Sequence, residues 1–118
     1  MKISRVAEIL DAKVLTGQEH LDREVHSVCG SDMMSDVLAF VKDQAVLLTG
    51  LLNPQVIRTA VMMDMQCVVF VRAKVPGEDV LALARSCHLT VLASKERMYT
   101  ACGKLYEQGL KGGELIGD

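Results

Sequence analysis

The chain has 118 residues, half of them apolar, and a formal net charge of −2. This length fits one domain with a sizeable core, and the charge gives no support to non-specific nucleic-acid binding, which requires a basic face. No apolar run approaches the roughly 20 residues of a membrane span, and the first residues lack the apolar stretch of a secretory signal. The sequence therefore predicts a cytoplasmic globular domain with neither nucleic acid nor a membrane as a partner.

The amino-terminal part predicts a helix, two strands and a second helix. Apolar residues at positions 3, 6, 7 and 10 have helical spacing and predict a helix that ends near Ala12. Residues 13–17 predict a short strand, residues 18–23 a polar loop and residues 25–29 a second strand. Because only a short polar loop separates the two strands, we expect the first to run antiparallel. Ser31 and Asp32 are good N-cap residues for a second helix that ends near Lys42-Asp43.

The central unit spans residues 45–74. Residues 46–48 form an apolar run without polar alternation, which is typical of a strand buried on both faces. Gly50 permits a turn that other residues would strain. Asn53-Pro54 is a helix-start signal, because Asn caps the first amides and Pro in the first position loses no helical hydrogen bond. A helix over residues 54–64 and a strand over residues 67–71 complete a right-handed crossover.

The carboxyl-terminal part repeats the alternation. Pro76-Gly77 breaks the chain before a helix with apolar residues at positions 80, 83, 84 and 87. Residues 90–93 predict the last strand and residues 98–105 the last helix, which Gly109 stops. The whole pattern predicts a three-layer α/β/α sandwich with a mostly parallel or mixed sheet of about five strands. We predict one domain over residues 1–110 and a flexible tail over residues 111–118.

Polar side chains follow the predicted strands at the edge where the strands' carboxyl ends meet. Ligands bind at this edge in open α/β sheets, and helix-start amides beside cations suit a phosphate group. The predicted anion site comprises Ser31, Asp32, Thr49, Gly50, Asn53, Arg72 and Lys74. Ser94 and Lys95 follow the last strand at the same edge. The alternative is that these residues are ordinary caps and solvated loop charges.

Cysteine and histidine provide no metal or catalytic site in this interpretation. The cysteines lie too far apart in sequence for a zinc-binding pair, and the histidines add no ligand spacing. Strand alternation sends His26 and Cys29 to opposite faces, so no catalytic dyad is predicted. We predict reduced thiols, no metal and no cofactor for the residues Cys29, Cys67, Cys87, Cys102, His20, His26 and His88.

The predicted helix over residues 54–64 carries more apolar side chains than one face can bury. Methionine fills irregular cores and also forms adaptable interfaces. Met62, with Val61 or Met65, therefore predicts a homodimer contact, and the alternative is a methionine-rich core.

The order of these elements resembles the DRTGG domain family. The resemblance is carried by Thr49-Gly50, Asn53-Pro54 and residues 68–76, 80–84 and 91–94, together with the opening helix and residues 12–17. The family's Asp-Arg pair would fall near Leu51-Leu52, and its Thr-Gly-Gly near Val71-Arg72-Ala73. The resemblance implies a three-layer domain similar to the amino-terminal domain of HPr kinase/phosphorylase, of a kind found beside CBS domains and in some phosphotransacetylases, with a regulatory role.

Kinase chemistry is not expected from this chain. The phosphate-binding pattern GxxxxGK[ST] is absent, because Gly103-Lys104 is followed by Leu105 inside a predicted helix. The preferred hypothesis is a non-catalytic regulatory or ligand-binding module for a phosphate-bearing metabolite or nucleotide. Two alternatives stay open: a small accessory enzyme that acts on a phosphorylated metabolite through Arg72, Lys74 and Asp32, and an adaptor that binds a partner protein through the methionine-rich surface.

Overall fold

The computed structural model describes residues 1–40 and 45–112. The helices in these ranges are α1 (Ile3–Ile9), α2 (Met34–Phe40), α3 (Pro54–Met62), α4 (Glu78–Ser86) and α5 (Met98–Glu107). The strands are β1 (Lys13–Thr16), β2 (Ser27–Gly30), β3 (Ala45–Thr49), β4 (Cys67–Phe70) and β5 (Thr90–Ala93). The predicted end of the second helix near Lys42-Asp43 and the predicted tail beyond residue 112 lie outside the described residues.

The five strands form one mixed sheet in the order β1-β5-β4-β3-β2. Strands β2 to β5 are parallel to one another, and β1 pairs with β5 in the antiparallel direction. The predicted direction of β1 is therefore confirmed. The reason given for it was wrong, since β1 and β2 lie at opposite edges and residues 17–26 carry the chain from one edge to the other.

Helices cover both faces of the sheet, which confirms the three-layer sandwich. Alternate side chains of the central strands enter two separate cores, as the two-residue period of a strand requires. Leu47 and Val68 pack with α2, α3 and α4, whereas Val46 and Val69 pack with α1 and α5. Because both faces are covered, β3 and β4 are buried along their whole length, as their unbroken apolar sequence indicated.

Four helices end in the same way: a residue in the left-handed conformation is followed by a residue whose amide donates a hydrogen bond back into the last helical turn. The left-handed residue is Asp11, Asp64 and His88 after α1, α3 and α4, and Gly109 after α5. The amide after it donates five residues back, for example from Met65 to the Ala60 carbonyl at 2.8 Å. Asp and His tolerate this conformation better than most side chains. The first and third helices therefore end earlier than predicted, at Ile9 and Met62, because only the glycine was recognised as a stop.

None of the helices in the described ranges is long and apolar enough to span a bilayer.

Candidate functional site

The carboxylate of Asp32, a side chain of the protein itself, lies at the centre of the predicted anion site. Asp32 follows β2, and its Oδ1 accepts hydrogen bonds from the Gly50 amide at 2.7 Å and the Thr49 hydroxyl at 3.0 Å. Its Oδ2 lies 3.4 Å from Nη2 of Arg72, which follows β4. The structure thus brings together four of the seven predicted residues. We call this arrangement of Asp32, Thr49, Gly50 and Arg72 the Asp32 cradle.

The electrostatics of the cradle favour negative charge. The Gly50 amide hydrogen bond lowers the pKa of Asp32 below its ordinary value, and burial opposes this effect. The Thr49 hydroxyl and the charges of Arg72 and Lys74 lower the pKa further. These contacts stabilise the ionised form of the Asp32 carboxylate itself.

Gly50 leaves room for the close approach of Arg72. A Cβ on Gly50 would lie 2.8 Å from Cζ and 2.9 Å from Nε of the Arg72 guanidinium, which is closer than such atoms pack. Gly50 does not adopt the left-handed conformation, so the expectation that it relieves a strained turn was wrong. The missing side chain instead lets the guanidinium lie against the backbone beside Asp32.

Ser31 and Asn53 bind nearby backbone rather than the cradle. The Ser31 hydroxyl accepts a hydrogen bond from the Met33 amide at 3.0 Å, just before α2. Asn53 Oδ1 accepts from the Gln55 amide at 3.0 Å, as the predicted N-cap of α3. Each side chain therefore fixes the start of a helix. Asp32, expected as a second cap residue of α2, reaches across to β3 instead.

The loop after β4 contains two consecutive left-handed residues without glycine. Arg72 has φ 64° and Ala73 has φ 59°. Such a conformation costs an L-residue about 1–2 kcal/mol. Two backbone hydrogen bonds hold the loop, from Arg72 to the Glu96 carbonyl at 2.7 Å and from Ala73 to the Ser94 carbonyl at 3.0 Å. The resemblance placed the family's two glycines near these positions, where they would adopt this conformation without strain.

Three lysines surround a small concavity beside this loop. We call it the lysine concavity; its volume is about 170 Å³, and it is lined by Lys13, Ala73, Lys74, Val75, Ala93, Ser94 and Lys95. It lies where β4 and β5, adjacent and parallel, lead to helices on opposite faces of the sheet. Crevices form at this kind of position in α/β sheets. Lys74 belonged to the predicted site, whereas Lys13 was missed.

The topology explains why Lys13 was missed. Lys13 begins β1, and it pairs in register with Ala93 at the carboxyl end of β5. An antiparallel strand at that edge places its first residue where its parallel neighbours place their last. Lys13 could have been predicted at this position only if β1 had been expected to pair with β5 and not with β2.

Comparison with known proteins identifies the family. The DRTGG domain model matches residues 5–107 of the chain. The chain belongs to the DRTGG domain family. A search of curated proteins found no match.

A solved structure has the same fold as this DRTGG domain. It is the regulatory region of a Clostridium perfringens pyrophosphatase, containing CBS and DRTGG domains, in complex with its activator diadenosine tetraphosphate. The TM-score is 0.72 at 17% sequence identity, over 93% of this chain and 47% of that chain. This DRTGG domain therefore spans about half the length of the pyrophosphatase region.

A larger concavity lies at the opposite end of the sheet, beside the residues that precede β4 and β5. It has a volume of about 400 Å³ and is lined by residues that include Arg23, Asp64, Gln66 and His88. The carboxyl ends of α3 and α4 border it, and their partial negative charge adds to that of Asp64. Arg23 Nη1 already donates to the His88 carbonyl at 2.9 Å. This end of the sheet is therefore less suited to an anion than the end at which the carboxyl ends of β2 to β5 lie.

Within the described ranges, no three His, Cys, Asp or Glu side chains lie close enough to hold a metal ion. The four cysteines are free thiols, and burial raises the pKa of the Cys67 thiol beyond the range in which it ionises. Burial also raises the pKa of Cys29 and of Cys102. These shifts make the three thiols poor nucleophiles.

Proposed function

We propose that this DRTGG domain is a non-catalytic regulatory module that binds a phosphate-bearing ligand, such as a nucleotide, at the carboxyl edge of its sheet. The observation that carries the proposal is Arg72 in the Asp32 cradle, a half-exposed guanidinium that lies 3.4 Å from a carboxylate at the end of the sheet where ligands bind in α/β folds. The pyrophosphatase structure supports a regulatory role, since it is a regulatory region bound to an activator with four phosphates.

In the proposed mechanism a ligand phosphate takes Arg72 from Asp32. The pair is exposed, with 44% of the Arg72 and 48% of the Asp32 side chain accessible, and its oxygen–nitrogen distance is 3.4 Å. An exposed pair of this kind contributes about 0–1 kcal/mol. A phosphate accepts two parallel hydrogen bonds from a guanidinium, which is a stronger contact. Asp32 keeps its hydrogen bonds to Gly50 and Thr49 while Arg72 turns to the ligand.

Thermal unfolding in the presence of a ligand panel tests this proposal. We expect AMP, ADP, ATP or a sugar phosphate to raise the melting temperature, with about 2.7 kcal/mol of stabilisation at a hundred times the Kd. Arg72→Ala should lose the shift. Arg58→Ala, which removes an exposed arginine of α3, is the matched control and should keep it. An equal shift in Arg72→Ala, or none for the wild type, would contradict the proposal.

Asp32→Asn tests the exchange step separately. The substitution removes the carboxylate that competes for Arg72, and its amide oxygen still accepts from Gly50 and Thr49. We expect affinity for the same ligand to increase several-fold in calorimetric titration. Weaker binding would show that Asp32 holds the ligand rather than competing with it. Chromatography of the ligand after incubation tests the enzymatic alternative, which requires turnover.

We also propose a homodimer through the exposed end of α3, in a cytoplasmic protein. Val61 and Met62 support the contact, because 44% and 69% of their surfaces are accessible. Met65 is buried and takes no part in it. Light scattering from micromolar to near-millimolar concentration should give the dimer mass, and Met62→Glu should give the monomer mass. A wild-type monomer throughout that range would contradict the dimer and leave a partner protein as the occupant of this surface.

The free thiols support the proposed cytoplasmic location, which cell fractionation of a tagged chain would check.

A further inference from the structure

We infer that α3 pairs with α3 of a second copy in the antiparallel direction, and that two symmetric ion pairs join Arg58 of each copy to Asp64 of the other. The inference rests on the homodimer of the proposed function and adds its geometry. It names the residues at the twofold axis, the direction of the paired helices and the charged residues that select this direction.

The exposed side of α3 has an apolar centre between two opposite charges. Val61 and Met62 form the centre, and Arg58 and Asp64 are exposed on either side of it. Arg58 precedes Val61 by three residues and Asp64 follows it by three, which is about 4.5 Å along a helix axis in each direction. The Asp64 amide donates to the Val61 carbonyl at 3.1 Å, which keeps Asp64 beside the last turn of α3. The two charges are therefore placed symmetrically about Val61.

Neither charge has an ion-pair partner in the described part of the chain. Among residues 1–40 and 45–112, the ion pairs within 4.0 Å join other side chains, and neither Arg58 nor Asp64 takes part. Asp64 follows the carboxyl end of α3, whose partial negative charge repels a carboxylate and attracts a cation. Arg23 lines the same concavity as Asp64, but its guanidinium donates to the His88 carbonyl at 2.9 Å. A cation supplied by a second copy would therefore stabilise Asp64 and the end of α3 together.

A twofold axis beside Val61 pairs both charges. In an isologous interface every contact occurs twice, and antiparallel helices place the residues before the axis opposite the residues after it. Val61 and Met62 then meet their own counterparts at the axis, and Arg58 lies opposite Asp64 of the second copy. Parallel pairing would instead place Arg58 opposite Arg58, where the like charges repel. Charge complementarity therefore selects the antiparallel direction.

The same symmetry identifies a second copy as the partner. An apolar centre with a charged rim is the usual composition of a protein–protein interface. An unrelated protein would need a base and an acid at the same spacing in the reverse order. A second copy of this chain carries them in that order by symmetry alone.

Sedimentation velocity of Arg58→Glu and Asp64→Lys, each alone and then mixed in equal amounts, tests the inference. Each variant alone sets like charges against each other, and we expect its dimer Kd to rise at least tenfold. In the mixture the new acid meets the new base, and the remaining Arg58 and Asp64 also meet. The heterodimer should therefore form with a Kd within threefold of the wild-type value. The control Arg97→Glu makes the same charge change at the start of α5, on the other face of the sheet, and should keep the wild-type Kd.

Asp64→Asn is a second variant at the same position. Asp64 has φ 55°, a left-handed conformation that Asn tolerates better than Lys. The substitution therefore removes the charge without adding backbone strain, and we expect the dimer Kd to rise at least threefold.

The outcomes separate the inference from the proposed function. A wild-type Kd for both Arg58→Glu and Asp64→Asn would overturn the antiparallel arrangement and leave the dimer itself in place. A mixture that dimerises no more tightly than its two components would do the same. A wild-type chain that stays monomeric would overturn both the arrangement and the dimer. The Asp32 cradle involves neither Arg58 nor Asp64, so each of these results leaves the proposed ligand site untouched.

Discussion

Replacement of Ala73 by glycine should stabilise the domain, although a new glycine usually destabilises a fold. Ala73 has φ 59°, a left-handed conformation that costs an L-residue about 1–2 kcal/mol. Glycine avoids this cost but adds about 0.5–1 kcal/mol of backbone freedom to the unfolded chain. The expected net gain is about 0.5–1 kcal/mol. With an unfolding entropy of about 2.1 cal/mol/K per residue, this gain raises the melting temperature of a chain of this length by roughly 2–4 °C.

Calorimetry of Ala73→Gly beside Ala82→Gly measures the effect with a matched control. Ala82 is an exposed residue within α4, where glycine should lower the unfolding free energy by about 1 kcal/mol. The two variants make the same chemical change, so opposite signs would isolate the backbone conformation as the cause. A loss of stability in Ala73→Gly as large as that in Ala82→Gly would refute the strain argument.

Three further predictions concern stability. Leu47→Asp places an unpaired charge among fully buried residues and should abolish the cooperative transition in circular dichroism; a wild-type melting temperature would contradict the core assignment. Thr59→Val should raise the unfolding free energy by about 1 kcal/mol in urea titration, because the buried Thr59 hydroxyl has no hydrogen-bond partner among the described residues. The lowered pKa of Asp32 means that its contribution is complete above the ordinary value of 3.8 and is lost as pH falls through the folded-state pKa. The stability advantage of the wild type over Asp32→Asn should therefore be the same at pH 7 and pH 6 and shrink at pH 3, and an advantage that grows toward pH 3 would contradict it.

Local sequence signals predicted the centre of the fold well. The apolar run before Thr49 and the Asn53-Pro54 cap define β3 and the start of α3 by interactions within a few residues, and both are confirmed. The neighbour of β1 could not be predicted in this way. A strand of four residues does not show which strand it pairs with, because that pairing depends on contacts between residues far apart in the chain.

The candidate site was predicted in part for similar reasons. Strand ends can be located from sequence, so Asp32, Gly50 and Arg72 were placed at one edge. Whether Asp32 caps α2 or binds the Gly50 amide depends on the distance between β2 and β3, which sequence does not show. The left-handed backbone at Ala73 was equally hidden, because glycine is the residue that normally indicates it.

The position of β1 has a consequence for how the domain assembles. Strands β2 to β5 can form in succession through neighbouring strand–helix–strand units. Pairing of β1 with β5 instead joins residues far apart in the chain, as in the hydrogen bond from Thr16 to the Leu89 carbonyl, across 73 positions. Such long-range closure is entropically costly and slows folding. The lining that Lys13 and Lys95 share therefore exists only once β1 has paired with β5, so this corner of the domain depends on a long-range contact and not on any local segment.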